Sequence, residues 1–425
     1  MAVLFSLGML LYALVVFRAK LFGGPELAKL LWVVYFALGV SAMVIATTDV
    51  LTPVYPPNYV AALFLLLCVL IAISGFLGFH ARDIGQAIAT VRWQGLIETI
   101  LIGIQLYSIL FFLPFAISSL VGDANENRLD LVNKMEVLGS YGLANTVAGA
   151  AAQLFGASLV FAGIRVAQRN GHGRSVLRAC LLVMASLSYV VYILAYVGRD
   201  GVVYWLMTAL AVFLVFRRHI SPRLRWKILA LGTAIGTVIM VPFIAITLAR
   251  FVDSEYGSAW SILDYFGSQI HNFSDYSSID RPMTLGVMNF PIFVGAACSA
   301  VGLDCESWES MKDFVFAQYL DQNTQPWLFG TYVSDFVGDF GYFGALGLIA
   351  TLALLTHALC RTCGGRRPLT LARLLLIMFL FLVPYWGVFY FRFSIVNGYI
   401  VVNLAFIYFV WLMQRLGPQS RGNGR

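Results

Sequence analysis

Four arginines, Arg199, Arg250, Arg281 and Arg392, and the run HNFSDYSSIDRP at 271–282 are the residues of this 425-residue chain whose types and spacing suit chemistry. A guanidinium is planar, keeps its charge at the edge of an apolar phase and meets phosphate oxygens two at a time. Four of them near the ends of apolar runs, on the face where cations are scarce, suit a diphosphate held at a membrane surface. For any single one, pairing with a lipid phosphate or a nearby acid is an equal explanation, and Asp200 stands beside Arg199 in VGRDG. In the run at 271–282, His271 can take up a proton near neutral pH, and Asp275 or Asp280 can orient it or serve as the base instead. The same run is rich in turn-forming Ser, Asp and Asn, as a solvated loop would be.

Around these residues lie many aromatic rings. Tyr276, Trp327 and Tyr332, interleaved with acids and amides as in AQYLDQNTQPWLFG at 317–330, suit either interfacial anchoring or a sugar-binding groove. In such a groove rings cover C–H surfaces and a carboxylate such as Asp335 accepts hydroxyl protons. Asp335 and Asp339 are four residues apart at the start of an apolar run, where capping of a helix N-terminus accounts for both. Cys298 and Cys305 are seven residues apart and would join in an oxidising compartment, whereas the lone CxxC of Cys360 and Cys363 lacks a second pair. No paired-acid metal signature, zinc motif or glycine-rich phosphate loop is present, so neither a metal nor a cofactor is expected.

The elements that must position these residues are membrane spans. A chain that is 60% hydrophobic and 12% charged cannot be a string of soluble domains. Its apolar runs predict an all-α polytopic membrane protein with eleven spans, near 2–17, 28–48, 58–78, 95–121, 137–164, 176–197, 201–217, 228–249, 336–359, 374–391 and 395–413. Alternate connectors hold 21 of the 28 Lys and Arg, which predicts the N-terminus outside and the C-terminus in the cytoplasm. The chain then divides into spans one to eight (1–249), a large outer loop (250–335), and spans nine to eleven with a basic tail (336–425). That loop holds three cations against eleven acids, although the whole chain is +7. The cations of the other connectors read as topology signals and lipid contacts, not as a nucleic-acid surface. Within the loop, 283–303 is apolar for 21 residues, but Pro291, Gly286, Gly295 and Gly302 favour short helices lying on or dipping into the outer leaflet. A twelfth span there would also move the later basic connectors outside.

Glu98, Asp339 and His357 lie toward span ends, and no ionisable side chain falls near a midplane. Ion-coupled transporters need such groups, so weight moves toward surface chemistry. Gly338, Gly341, Gly344 and Gly347 step every third residue, which close helix packing explains.

Taken with the layout of spans, the stretches VGRDGVVYWLMTALAVFLVFRR at 197–218 and TYVSDFVGDFGYFGALG at 331–347 resemble the Wzy-type O-antigen polymerases, bacterial oligosaccharide repeat-unit polymerases. The resemblance implies a protein of the inner membrane, with its large loop in the periplasm. It also implies an undecaprenyl-diphosphate-linked oligosaccharide substrate, glycosyl transfer without a metal, and a chain-length regulator as a partner. By position, Arg199 and Arg281 would carry the family's outer-loop arginine roles. O-antigen ligase chemistry and a lipid or polysaccharide transporter are the other expectations. The family's spacing of Arg, ten residues, then Gly is found from Arg128 to Gly139, and Arg281 lacks it.

Overall fold

The computed structural model describes residues 1–17, 25–47, 55–81, 84–89, 93–121, 137–168, 173–196, 198, 200–230, 232–234, 236–237, 263–264, 266–324, 330–361, 369–394 and 398–416. Among them there is helix but no strand. In chain order the principal helices are α1 (Ala2–Tyr12, continued by a π turn, Ala13–Phe17), α2 (Glu26–Ile45), α3 (Tyr59–Gly75), α4 (Ile84–Ala89) and α5 (Gln94–Val121). Next come α6 (Leu143–Gln153), α7 (Phe155–Ala167), α8 (Gly173–Ser186), α9 (Ser188–Ala195), α10 (Asp200–Phe216) and α11 (Gln269–Tyr276). The chain continues as α12 (Pro291–Val301), α13 (Trp308–Asp321), α14 (Thr331–Arg361), α15 (Leu371–Trp386) and α16 (Gly398–Leu416).

Six helical stretches are long and apolar enough to cross a bilayer, and a seventh if the bent pair α6–α7 is one span. The eleven expected runs divide accordingly. Ala2–Phe17, Tyr59–Gly75 and Leu371–Trp386 are shorter apolar helices, near the low end of the roughly 17–25 residues that a span uses. Most of 228–249 lies outside the described residues. The apolar run 283–303 contains only the 11-residue α12, about 16 Å long at 1.5 Å per residue, so it is not a straight span. Every residue of α12 is at least partly exposed, and a disulfide between Cys298 and Cys305 closes its C-terminal end.

The chain forms two compact units. The first comprises Met1–His80, Ile244–Gly364 and Leu380–Asn397. In it, Trp32 Nε1 donates to Met9 O (2.8 Å), tying α2 to α1. Tyr35 Oη donates to Pro384 O (2.8 Å), within the last turn of α15. Gly75 lets α3 and α14 touch along their backbones, since a methyl there would stand 3.0 Å from Ala353 O. Helix α14 is broken at Gly341 (φ 68°, ψ 178°), a conformation glycine adopts without Cβ strain. Its second part, 342–361, is about 30 Å long and covers a hydrocarbon layer. Its first part carries Asp335 and Asp339.

The second unit comprises Ala81–Phe243, Gly365–Phe379 and Gly398–Arg425. Glu98, fully buried on α5, is gripped by Arg165 of α7 through Nε (2.7 and 3.0 Å) and Nη2 (2.8 Å). Gln94 Nε2 (2.6 Å) and Arg178 Nη1 (3.4 Å) complete the ring of donors. A carboxylate taken out of water survives only with such pairing.

Glu98→Ala should therefore leave Arg165 uncompensated and lower the thermal midpoint in detergent by the equivalent of about 3–5 kcal/mol, as breaking a buried pair does. An unchanged midpoint would mean that the pair is structurally idle.

Candidate functional site

The site begins with the break in α14. A helix that stops leaves its last carbonyls without intrahelical donors. Here two of them are met from outside: Thr284 N donates to Gly338 O (3.3 Å) and Leu285 N to Asp339 O (2.9 Å). The fully buried Asp339 carboxylate accepts from the Thr284 hydroxyl and from Asn289 N (3.1 Å). Asn289 Nδ2 in turn donates to Asp335 O (3.0 Å). Positive φ at Leu285 (50°) and Gly286 (90°) lets the chain turn between these contacts. Residues 284–289 thus form a strap across the first part of α14, and Asp339 is its buckle. Asp335 and Asp339 therefore do not cap the helix. They lie well past its first residue, Thr331, and are engaged from outside it.

Just ahead of the strap is Arg281. Its approach is fixed by the Gln322 side chain, which accepts from Asp280 N (3.2 Å) and donates to Asp280 O (3.1 Å). The Arg281 guanidinium lies over the Tyr319 ring, 4.9 Å from its centroid, and nests against Gly338. A methyl at Gly338 would stand 2.3 Å from Arg281 Nη2 and 2.8 Å from Cζ. The glycine series is therefore not a helix-packing face. Gly338 makes room for a guanidinium, Gly341 allows the break, and a methyl at Gly347 would meet nothing within 4 Å. Among the described residues, Arg281 has neither an ion pair nor a hydrogen-bond acceptor, and it is half-buried. Its N–H donors remain available to a ligand.

Asp335 is also half-buried, and its carboxylate accepts from Phe391 N (2.5 Å). The charge of Arg281 acts on Asp335, Asp339 and Tyr319 together. Burial pushes the Tyr319 phenol up to about 12, against the opposing charge of Arg281, so it stays a neutral platform. Tyr276 meets that ring edge-on at 4.9 Å and belongs to the same aromatic cluster.

Other expected residues lie elsewhere. His271 and Asp275 are on α11, whose eight residues are all buried, not on a solvated loop. Burial holds the His271 imidazole below its ordinary range, opposed by a hydrogen bond with the Ala42 backbone, and Nε2 has no protein partner. So enclosed, His271 is poorly placed to meet a sugar hydroxyl. Asp280 is exposed. Tyr332 is enclosed, with its ring against Phe336 (5.6 Å) and its N–H donating to Gly387 O (2.8 Å), so it offers no face to a sugar. Arg392 follows Phe391 but is buried, and its Nη1 donates to Tyr390 Oη. Arg199, Arg250 and Trp327 lie outside the described residues.

Thr284, Asn289, Tyr319 and Gln322 were not singled out from the sequence, and Gly338 was read there as a packing glycine. Only the glycine spacing and the AQYLDQN run hinted at any of them. No protein-family model, curated protein or solved structure matches the chain.

Two outcomes follow for stability. Asp339→Ala should orphan the Thr284 hydroxyl and the Asn289 amide at about 1–3 kcal/mol each, lowering the thermal midpoint; an unchanged midpoint would show that the strap holds without its buckle. For His271, the folded chain binds its proton less readily than the unfolded one, whose value is near 6.5. Its contribution is complete above that value and is lost as pH falls from it toward the lower folded value. His271→Gln should therefore flatten the acid limb of a midpoint-against-pH curve, and an identical limb would contradict the assignment.

Proposed function

We propose that this chain is a polytopic inner-membrane glycosyltransferase of the O-antigen polymerase kind, with eleven spans, its N-terminus outside and its C-terminus in the cytoplasm. On this reading it joins undecaprenyl-diphosphate-linked oligosaccharide units on the periplasmic face. One observation carries the reading: a half-buried guanidinium, braced on Tyr319 and Gly338, keeps its donors free. A fork of that kind binds a diphosphate in two-point contact.

In the reaction, the acceptor sugar hydroxyl attacks the anomeric carbon of the donor chain. The bond from that carbon to the diphosphate oxygen breaks as the new glycosidic bond forms. Arg281 stabilises the negative charge that gathers on the departing undecaprenyl diphosphate, and because the guanidinium is already in place, little reorganisation is needed. Asp335 takes the hydroxyl proton. It is chosen over His271, Asp275 and Asp280 because it is the carboxylate beside Arg281 that remains partly open. The charge asymmetry of the connectors supports the orientation, and the disulfide between Cys298 and Cys305 suits an oxidising compartment.

Arg281→Ala should reduce long-chain polymer by about a hundredfold or more, with the protein still inserted, as loss of one charge-stabilising donor does. Gly338→Ala should act in the same direction by displacing the guanidinium, without lowering the thermal midpoint. A normal polymer ladder from both variants would remove the proposal. In a deletion strain, single repeat units attached to lipid A core would favour a polymerase, and their absence a ligase.

A further inference from the structure

The second unit contains a cluster of buried polar groups that the reading above does not use. Helix α5 presents Gln105 and Ser108, both fully buried, to its neighbours in that unit. They are 7 and 10 residues beyond Glu98, on about the same helical face. Around α5 pack two interrupted helices. One is α6–α7, bent by 41° at Leu154, and the other is α8–α9, interrupted at Leu187. The two breaks abut, because Phe155 and Tyr189 stack with centroids 4.3 Å apart and ring planes at 16°.

Beside the breaks are Gln153 and Ser188, and Ser158 donates to Gln105 Oε1 (2.7 Å). Gln105 Nε2, Ser108 Oγ, Gln153 Oε1 and Ser188 Oγ are all buried without a protein hydrogen-bond partner. Gln105, Ser108 and Ser188 are 0% exposed and Gln153 is 5% exposed. Four orphaned polar atoms in one region exceed what a dry helix bundle tolerates, because each costs free energy unless a partner meets it.

We propose that the paired breaks form a hydration site in the second unit, where bound water bridges Gln105, Ser108, Gln153 and Ser188. The chemistry favours water over an ion. The set mixes a committed donor, an acceptor and two hydroxyls that can do either, and none of these side chains is charged. Water typically makes about three hydrogen bonds in such a site and is costly to remove. Placed at two helix breaks, it also supplies partners where regular helical bonding is interrupted. This assignment is independent of the Arg281 site.

The test is radiolytic hydroxyl labelling of the full-length protein in detergent, which oxidises side chains next to bound water even when bulk solvent cannot reach them. Tyr189 and Phe155 should be labelled well above Phe76 and Phe381, which are about equally buried and pack against each other edge-on. The Gln105→Leu, Ser108→Ala double variant should lose that labelling several-fold. Labelling of Tyr189 and Phe155 no greater than that of Phe76 and Phe381 would overturn the site. Thermal midpoints give a second readout. If water satisfies these groups, Ser108→Ala and Ser188→Ala should each lower the midpoint; if the groups are dry and unpaired, removing them should raise it or leave it unchanged, which would overturn the proposal.

Discussion

A helix that breaks at Gly341 leaves backbone carbonyls that must find donors, and the arrangement of the residues around Arg281 follows from that requirement. The donors come from the chain between Thr284 and Asn289, and Asp339 secures the same segment with its side chain. Fixing that segment also fixes where Arg281 can reach. The guanidinium then has two supports, the Tyr319 ring and the space that Gly338 leaves open. Asp339 is thus a positioning residue. Asp335, four residues earlier, remains partly open.

The two units treat buried polarity differently. In the first, Asp339 is satisfied by its neighbours and its burial serves to hold a strap. In the second, Glu98 is satisfied by two arginines and a glutamine, while the uncharged groups further along α5 are left to find partners other than protein. Carboxylates in a low-dielectric interior must be paired, whereas amides and hydroxyls can be met by water.

Much of the helical fold was legible in composition. Apolar runs located the long helices but not α4, α11 or α13, and the shortness of α12 agrees with the reading of 283–303 as something other than a straight span. Span lengths were less legible, because hydropathy does not register where a helix tightens, bends or stops. That is how Tyr59–Gly75 came out short and 137–164 came out bent. At the site, Arg281 was recognisable because a cation on an otherwise acidic segment needs a local reason. Its supports were not. Gly338 looked like a packing glycine because a sequence does not say whether the missing Cβ makes room for a helix or for a side chain. Asp335 and Asp339 looked like caps because their partners, near 284–289 and at Phe391, are tens of residues away. His271 looked like a loop residue because polarity alone cannot distinguish a buried polar helix from a solvated turn. Buried uncharged residues such as Gln105 carry no sequence signal that separates them from amides on a surface.

The central claim is that Arg281 holds a diphosphate, and binding tests it more directly than polymer length does. Titrating the purified full-length protein in detergent with a short-chain prenyl diphosphate should give saturable binding that weakens at least tenfold in Arg281→Ala. A prenyl alcohol of the same length should bind both forms equally weakly. Equal affinity of the two forms for the diphosphate would contradict the account.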